Sequence, residues 1–244
     1  MSVNIVAFEG MDFGGKSMLS RRLHKVIGPI HSRLFQLPNP ASPYFVEIKQ
    51  LLNWIEEMQI GIVEKLDTDA RSLTAHRIMH SLMMADRLWV RNKLLREYLL
   101  EKKYPEPQIL IFDRYYHSSA AYQFLAGEVG EMLSMEAGIT LPRPDMVCHV
   151  AVPEKIRDHR RYIRKLMGTK PSPFESPEYL ERVGQRYNEM FSTPSSYGIE
   201  LTTLDGNANI RNETAKLLRF MRSDDIITKE YLASFIKVND TLDT

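Results

Sequence analysis

The chain has 244 residues, 43% hydrophobic and 26% charged, a composition that supports one sizeable core and excludes wholesale disorder. Its 32 Lys and Arg residues against 31 Asp and Glu leave a net charge of +1, so neither polymeric nucleic acid nor a membrane surface is an expected partner. A lone cysteine, Cys148, permits no internal disulfide; with no basic, apolar start and no apolar run near ~18 residues, the sequence predicts a cytoplasmic protein without signal peptide or membrane span.

Val3 to Phe8 is an apolar run of strand type that ends at Gly10. The next residues, Gly10-Met11-Asp12-Phe13-Gly14-Gly15-Lys16-Ser17, match G-x-x-x-x-G-K-[ST] in full, and Met18, Leu19, Leu23, Val26 and Ile27 then form a helical stripe. Strand, glycine loop and helix in that order make a phosphate cradle. The glycines let backbone N–H groups wrap an anion, and the helix N-terminus adds partial positive charge. Gly10, Phe13, Gly14, Gly15, Lys16 and Ser17 are therefore the predicted nucleoside triphosphate-binding residues, with Lys16 on the β/γ-phosphates and the Ser17 hydroxyl on Mg²⁺.

His31 to Leu37 is a weaker strand, and Ser42 and Pro43 open a helix whose stripe is Phe45, Ile48, Leu51, Leu52 and Ile55. From about Asp69 to Lys102 runs one long helical pattern with an apolar face wider than a single neighbour needs. Gln108 to Phe112 is strongly β and ends in Asp113, the carboxylate expected to hold Mg²⁺ or its waters. Helical readings cover Ser118 to Ala126, Glu154 to Met167, Pro177 to Phe191 and Ile210 to Met221; Met146 to Val152 and Ile199 to Leu204 are the remaining strands. Gly168 to Ser176 is a Pro/Ser-rich break that predicts a mobile loop.

Five buried strands alternating with helices predict an α/β fold, a doubly wound, five-stranded parallel sheet of the P-loop NTPase type flanked by helices. One domain is expected over residues 1–222. In the extension 223–244, Ile226, Ile227, Leu232, Phe235 and Ile236 predict a short docked helix.

Three segments together resemble the thymidylate kinase family. Phe8-Glu9-Gly10-Met11-Asp12 leading into Gly15-Lys16-Ser17 is similar to its opening, F-E-G-x-D-x-x-G-K-[ST]. Asp113-Arg114-Tyr115-Tyr116-His117-Ser118-Ser119-Ala120-Ala121-Tyr122-Gln123 resembles D-R-[YH]-x-x-S-x-x-A-Y-Q, and Ala85-Asp86-Arg87 resembles A-x-R. The resemblance implies that residues 1–222 are a nucleoside monophosphate kinase with a lid at about 157–176. It implies transfer of the ATP γ-phosphoryl group to a pyrimidine deoxynucleoside monophosphate, dTMP first, and a homodimer formed through the long helix. It implies that Asp12 accepts from the acceptor's 3′-hydroxyl and that Arg114 holds the acceptor phosphate. Arg87, Ser118 and Ser119 would read the pyrimidine, with Gln123 nearby, and Tyr122 would exclude ribose. The family places a catalytic arginine either in the phosphate loop or in the lid. Phe13 occupies the loop position, so the lid must supply it, through Arg160 or Arg164 among Arg157, Arg160, Arg161, Arg164 and Lys165.

Structural alternatives stand beside these roles. Arg87 could be a salt-bridge partner, Tyr122 a core aromatic, Ser119 a helix cap and the arginine run a solvated face. Three departures from the family pattern bear on the acceptor. Pro38-Asn39-Pro40 replaces a Glu-Arg pair, which leaves Lys49 or Arg71 as substitute cations; Met83 replaces an aromatic; and Ser172-Pro173-Phe174-Glu175 replaces D-R-F-E. The alternatives in function are a deoxynucleoside kinase, a phage-type kinase for a modified pyrimidine nucleotide, and a non-catalytic nucleotide-binding paralogue.

Overall fold

A computed structural model describes residues 3–57, 70–94, 96–97, 108–123, 129–136, 139–168, 175–224 and 226–227. The strands are β1 (Val3–Glu9), β2 (Ser32–Gln36), β3 (Gln108–Asp113), β4 (Met146–Ala151) and β5 (Leu201–Asp205). The helices are α1 (Lys16–Ile27), α2 (Phe45–Glu57), α3 (Ala70–Leu94), α4 (Tyr116–Gln123), α5 (Val129–Glu136), α6 (Glu154–Leu166), α7 (Pro177–Ser192) and α8 (Ile210–Ser223). The strands form one sheet in the order β2-β3-β1-β4-β5, and every neighbouring pair is parallel.

Strand period explains the two-sided core. Successive side chains point to opposite faces, so a strand covered on both sides must be apolar throughout. In β1, Ile5 and Ala7 face a cluster that includes Val90, Ala120 and Val183, from α3, α4 and α7. Val6 and Phe8 face the opposite cluster, with Leu19 and Leu23 of α1 and Leu217 and Met221 of α8. In β3, Leu110 and Phe112 join the first cluster, Ile109 and Ile111 the second.

Parallel register sets the height of the strand ends. Phe8 lies beside Asp113 and Glu9 beside His149, so the phosphate loop after β1 and the turn after β3 emerge at the same edge. The chain order doubles back across β1, since β3 and β4 flank it on either side, and ligands of such sheets bind outside the carboxyl ends at that switch point.

The expected elements are present with shifted ends. α2 begins at Phe45, after a turn in which the Ser42 hydroxyl accepts from Tyr44 N at 3.2 Å. The long helix is described over Ala70–Leu94; residues 58–69, 95 and 98–102, and with them both ends expected for the pattern, lie outside the described set. α5 has no counterpart in the sequence reading. Its eight residues are too few to display a periodic stripe, yet Val129, Met132 and Leu133 are buried in the first core cluster. After α8 the chain turns back: Asn4 donates to Ile226 O at 3.0 Å, and Ile226 and Ile227 join the second cluster. The helix expected over Leu232, Phe235 and Ile236 lies outside the described residues. Among the described residues no helix is long and apolar enough to cross a membrane.

Candidate active site

β1 ends at Glu9 and α1 starts at Lys16, with Gly15 at its N-cap. Gly10 stands at φ 135°, and a Cβ there would lie 2.6 Å from the Val150 carbonyl oxygen of β4, so glycine is needed for conformation and for space. Over this loop opens a cleft of about 750 Å³, lined by Phe13, Gly14, Gly15, Lys16 and Ser17. Lys16 is buried, and its Nζ donates to Gly10 O at 2.8 Å and Met11 O at 2.7 Å. Burial, followed by the nearby Arg114 charge, lowers its pKa from 10.5 to about 8.

Ser17 and Asp113 line the same cleft. A hydroxyl and a carboxylate are hard oxygen donors that suit Mg²⁺, an ion that usually takes its other ligands from water and substrate phosphates. Among the described residues no group of three His, Cys, Asp or Glu side chains would hold a metal by itself. The donors present therefore fit an ion that is shared with a nucleotide.

A second cavity, about 200 Å³, lies between Leu37, Pro38 and Leu52 on one side, Met79, Met83 and Arg87 of α3 on another, and the α4 segment. Tyr115, Ser118, Ser119 and Tyr122 complete its wall. Asp12 and Arg114 line both this cavity and the phosphate cleft. They form an ion pair with each other. The Arg114 guanidinium also lies 5.2 Å above the Tyr122 ring, whose hydroxyl accepts from Asp12 N at 3.0 Å. Arg114 reaches this position from a left-handed backbone, φ 72°, directly after β3. Burial works against ionisation of Asp12, but the Arg114 and Lys16 cations outweigh it and hold the carboxyl below the usual carboxylate range.

Behind the cavity wall is a layer of buried ions. Arg87 is 2% exposed; its Nε donates to Glu136 Oε2 at 3.1 Å, its Nη2 to Glu136 Oε1, and its Nη1 to Ser119 Oγ at 2.7 Å. Ser118 Oγ donates to Glu9 Oε2 at 2.6 Å and receives from Arg114 Nη1 at 3.3 Å. Glu9 also accepts from Tyr115 N at 2.7 Å, Ser118 N at 3.1 Å and the Tyr187 hydroxyl at 3.0 Å. Burial alone would raise the Glu9 pKa, yet His117 and the Ser118 hydrogen bond outweigh it and keep it below the ordinary value. Glu9 thereby fixes the start of α4, and Arg87 fixes Ser119 one turn on. Gln123 closes α4, and its side chain lies outside the described residues.

α6 brings its arginines to the loop from above. Arg160 donates from Nη1 to Phe13 O and from Nη2 to Gly206 O, both at 2.8 Å. Gly206, after β5, packs so close to the loop that a Cβ would overlap Gly14 O. Arg164 pairs with Glu175 at 3.0 Å and lies over the Phe13 ring. Arg161 pairs with Asp158 at 3.1 Å and donates to Glu175 O at 2.9 Å, while Arg157 lines a separate cavity of about 480 Å³ with Met11 and Gly14. Lys49 is exposed above the Phe45 ring and does not line the smaller cavity. The side chain of Arg71 and residues 169–174, which include Ser172, Pro173 and Phe174, lie outside the described set.

The sequence model described as Thymidylate kinase matches residues 8–213 of this chain. The chain belongs to the thymidylate kinase family. A relative from Aeropyrum pernix assigned as a thymidylate kinase is 30% identical over 208 residues, 84% of this chain and 86% of the relative. The thymidylate kinase of Desulfotalea psychrophila is 29% identical over 188 residues, 76% and 81% of the two chains. The structure of thymidylate kinase from Candida albicans superposes with a TM-score of 0.64 at 19% identity, covering 91% of this chain and 92% of that one, and so shares the fold. Thymidylate kinases are ATP-dependent nucleotide kinases that phosphorylate dTMP, and this chain is an enzyme of that class.

Within the thymidylate kinase framework, two site carboxylates escape the sequence reading. Glu9 stands inside the quoted opening motif without an assigned role. Glu136 lies 49 positions from its partner Arg87, on the short α5, where no local pattern marks it. Gly206 is likewise invisible until β5 is laid beside β4.

Proposed function

We propose that this thymidylate kinase family member uses the phosphate cleft for ATP and the smaller cavity for dTMP, with the β-to-γ bond of ATP cleaved at the wall the two share. The observation that carries this reading is the double position of Asp12 and Arg114, which line both spaces. An oxygen of the dTMP phosphate attacks the γ-phosphorus as the bond to the β-bridging oxygen breaks, giving dTDP and ADP. The attacking oxygen is already anionic, so alignment and charge neutralisation replace general-base catalysis.

Lys16 would neutralise the β/γ-phosphates, with Gly10, Phe13, Gly14 and Gly15 supplying loop backbone and Ser17 and Asp113 holding Mg²⁺. When bound, Mg²⁺ would offset phosphate charge through its Lewis acidity. Arg114 would hold the acceptor phosphate as a guanidinium fork, and Asp12, its partner, would take the 3′-hydroxyl. Met79, Met83 and Leu52 would pack against the base, Ser118, Ser119 and Arg87 would form its polar edge with Gln123 nearby, and Tyr122 would lie beneath the sugar. Arg160 and Arg164 would bring cations from the lid. We further propose a homodimer formed through α3, on which Ile78 and Leu88 are exposed.

The test is ADP release measured with ATP against dTMP, dUMP, dCMP, a 5-substituted dUMP and thymidine. Turnover with the monophosphates and none with thymidine is expected. Turnover with thymidine but not dTMP, or ATP hydrolysis indifferent to any acceptor, would overturn the reading.

A further inference from the structure

Arg160 and Arg164 are one turn apart on α6 and so face the same way, yet their guanidinium groups are used differently. Arg160 commits both terminal nitrogens to backbone carbonyls, Phe13 O and Gly206 O, and ties the phosphate loop to the turn after β5. Arg164 commits Nη1 to Glu175 Oε1 and lays its guanidinium on the Phe13 ring, 5.6 Å from the centroid. A guanidinium held by its face keeps much of its N–H edge free for an anion. The Arg164 side chain is 49% exposed and Glu175 only 8%, so the arginine is the accessible member of that pair.

Phe13 itself lines the phosphate cleft and stands at φ 63°, a left-handed backbone that glycine adopts without strain. The backbone there does not call for a phenyl ring. The ring's contact is with Arg164.

We infer that Phe13, which lines the phosphate cleft, is a positioning residue whose ring holds the Arg164 guanidinium beside that cleft; Arg160 lines the cleft itself but has both terminal nitrogens committed to backbone carbonyls, which leaves Arg164 as the lid cation that meets the transferring phosphoryl group. This rests on the kinase reading above. Glu175 holds the same guanidinium through Nη1, and a phosphate oxygen, also a charge-assisted acceptor, exchanges with that carboxylate while the ring contact persists. Arg160 acts through structure, by keeping the loop and the turn after β5 together.

Steady-state kinetics with ATP and dTMP, together with the affinity for a fluorescent ADP analogue, separate these roles. Arg164→Ala should lower kcat by on the order of 10²- to 10³-fold, as expected for loss of a preorganised transition-state donor, with ADP affinity held. Phe13→Leu should lower kcat by roughly 2- to 30-fold, the range of a ring–guanidinium contact, while Phe13→Tyr and Phe13→Trp stay within about twofold of the parent. Once Arg164 is alanine, Phe13→Leu should cost nothing more, because the two changes remove one interaction. Arg160→Ala should chiefly weaken ADP binding.

A Phe13→Leu loss that persists undiminished in the Arg164→Ala enzyme would overturn the inference, as would a larger kcat loss in Arg160→Ala at unchanged ADP affinity. Arg164→Ala within about threefold of an active parent would overturn it alone, given the size expected for a phosphoryl-directed cation. A parent that transfers no phosphoryl group from ATP to dTMP would overturn the kinase reading and this inference with it.

Discussion

Asp12 and Arg114 lie 102 positions apart in the chain and meet as an ion pair at the boundary of two cavities, one on the phosphate loop and one among the methionines of α3. Each arrives from a strand end, Asp12 from the loop after β1 and Arg114 from the turn after β3. The parallel register that sets Phe8 beside Asp113 brings both to one height. The pair is thus a product of sheet topology, and it marks where donor and acceptor phosphates would approach.

Lys16→Ala should remove at least 10²–10³-fold of kcat, the order expected when a preorganised phosphate cation is lost. The pH dependence carries a sign. With the Lys16 pKa lowered to about 8, kcat/KM for ATP should fall above that pH as the free enzyme loses its ammonium. Between about 8 and 10.5 the unfolded chain binds more protons at this site than the folded one, so this lysine's contribution to stability rises with pH while activity declines. Activity and urea-unfolding profiles over pH 7–10 test both directions; a kcat/KM profile flat to pH 10 would contradict the assignment.

Glu136→Leu should destabilise the fold by about 3–5 kcal/mol, because it strands the buried Arg87 guanidinium without its carboxylate. At this chain length the melting temperature should drop by roughly 6–20 °C. Adding Arg87→Met should restore much of that stability without restoring dTMP turnover. If the single change leaves the melting temperature where it was, the ion pair contributes nothing to the wall of the acceptor cavity.

Tyr122→Phe keeps the ring beneath Arg114 and removes the hydroxyl that accepts from Asp12 N. Loss of that bond, on the order of 1 kcal/mol, should lower kcat/KM for dTMP about fivefold and raise the relative rate with UMP. Comparison of dTMP and UMP under one set of conditions reads this, and an unchanged ratio would remove Tyr122 from sugar selection.

Met83→Phe should narrow the acceptor. In the parent, the thioethers of Met79 and Met83, beside Leu52, give the cavity of about 200 Å³ adaptable walls, so dUMP and a 5-substituted dUMP should rival dTMP. A ring in place of Met83 should shift preference toward dTMP by about tenfold, the scale of one methylene in an apolar pocket. Strict dTMP selectivity in the parent would show that the thioethers are packed rigidly.

Ile78 and Leu88 are 46% and 37% exposed on α3, about 80° apart around the helix, while Trp54 of α2 is 43% exposed. Sedimentation at micromolar concentration should give a dimer, and Ile78→Glu with Leu88→Glu should give a monomer, since a two-fold contact places each change in the interface twice. A monomeric parent would reject the interface.

The strands, the phosphate loop and the α4 motif are legible in the chain alone, because each is a local pattern. Apolar runs, a glycine spacing that only one backbone geometry serves, and a contiguous Asp113-to-Gln123 segment can all be read within a dozen residues. The family resemblance also implied a lid cation, since Phe13 stands where the loop would otherwise carry an arginine. Only the tertiary structure decided which partners those residues keep: Glu9 under α4, Glu136 on the unanticipated α5 behind Arg87, Gly206 against Gly14, and Arg164 on the ring of Phe13. The physical reason is range. Glycine conformation and strand periodicity act within a few residues, whereas a buried charge is satisfied by whatever carboxylate the packed sheet and helices bring within about 3 Å, however distant in the chain.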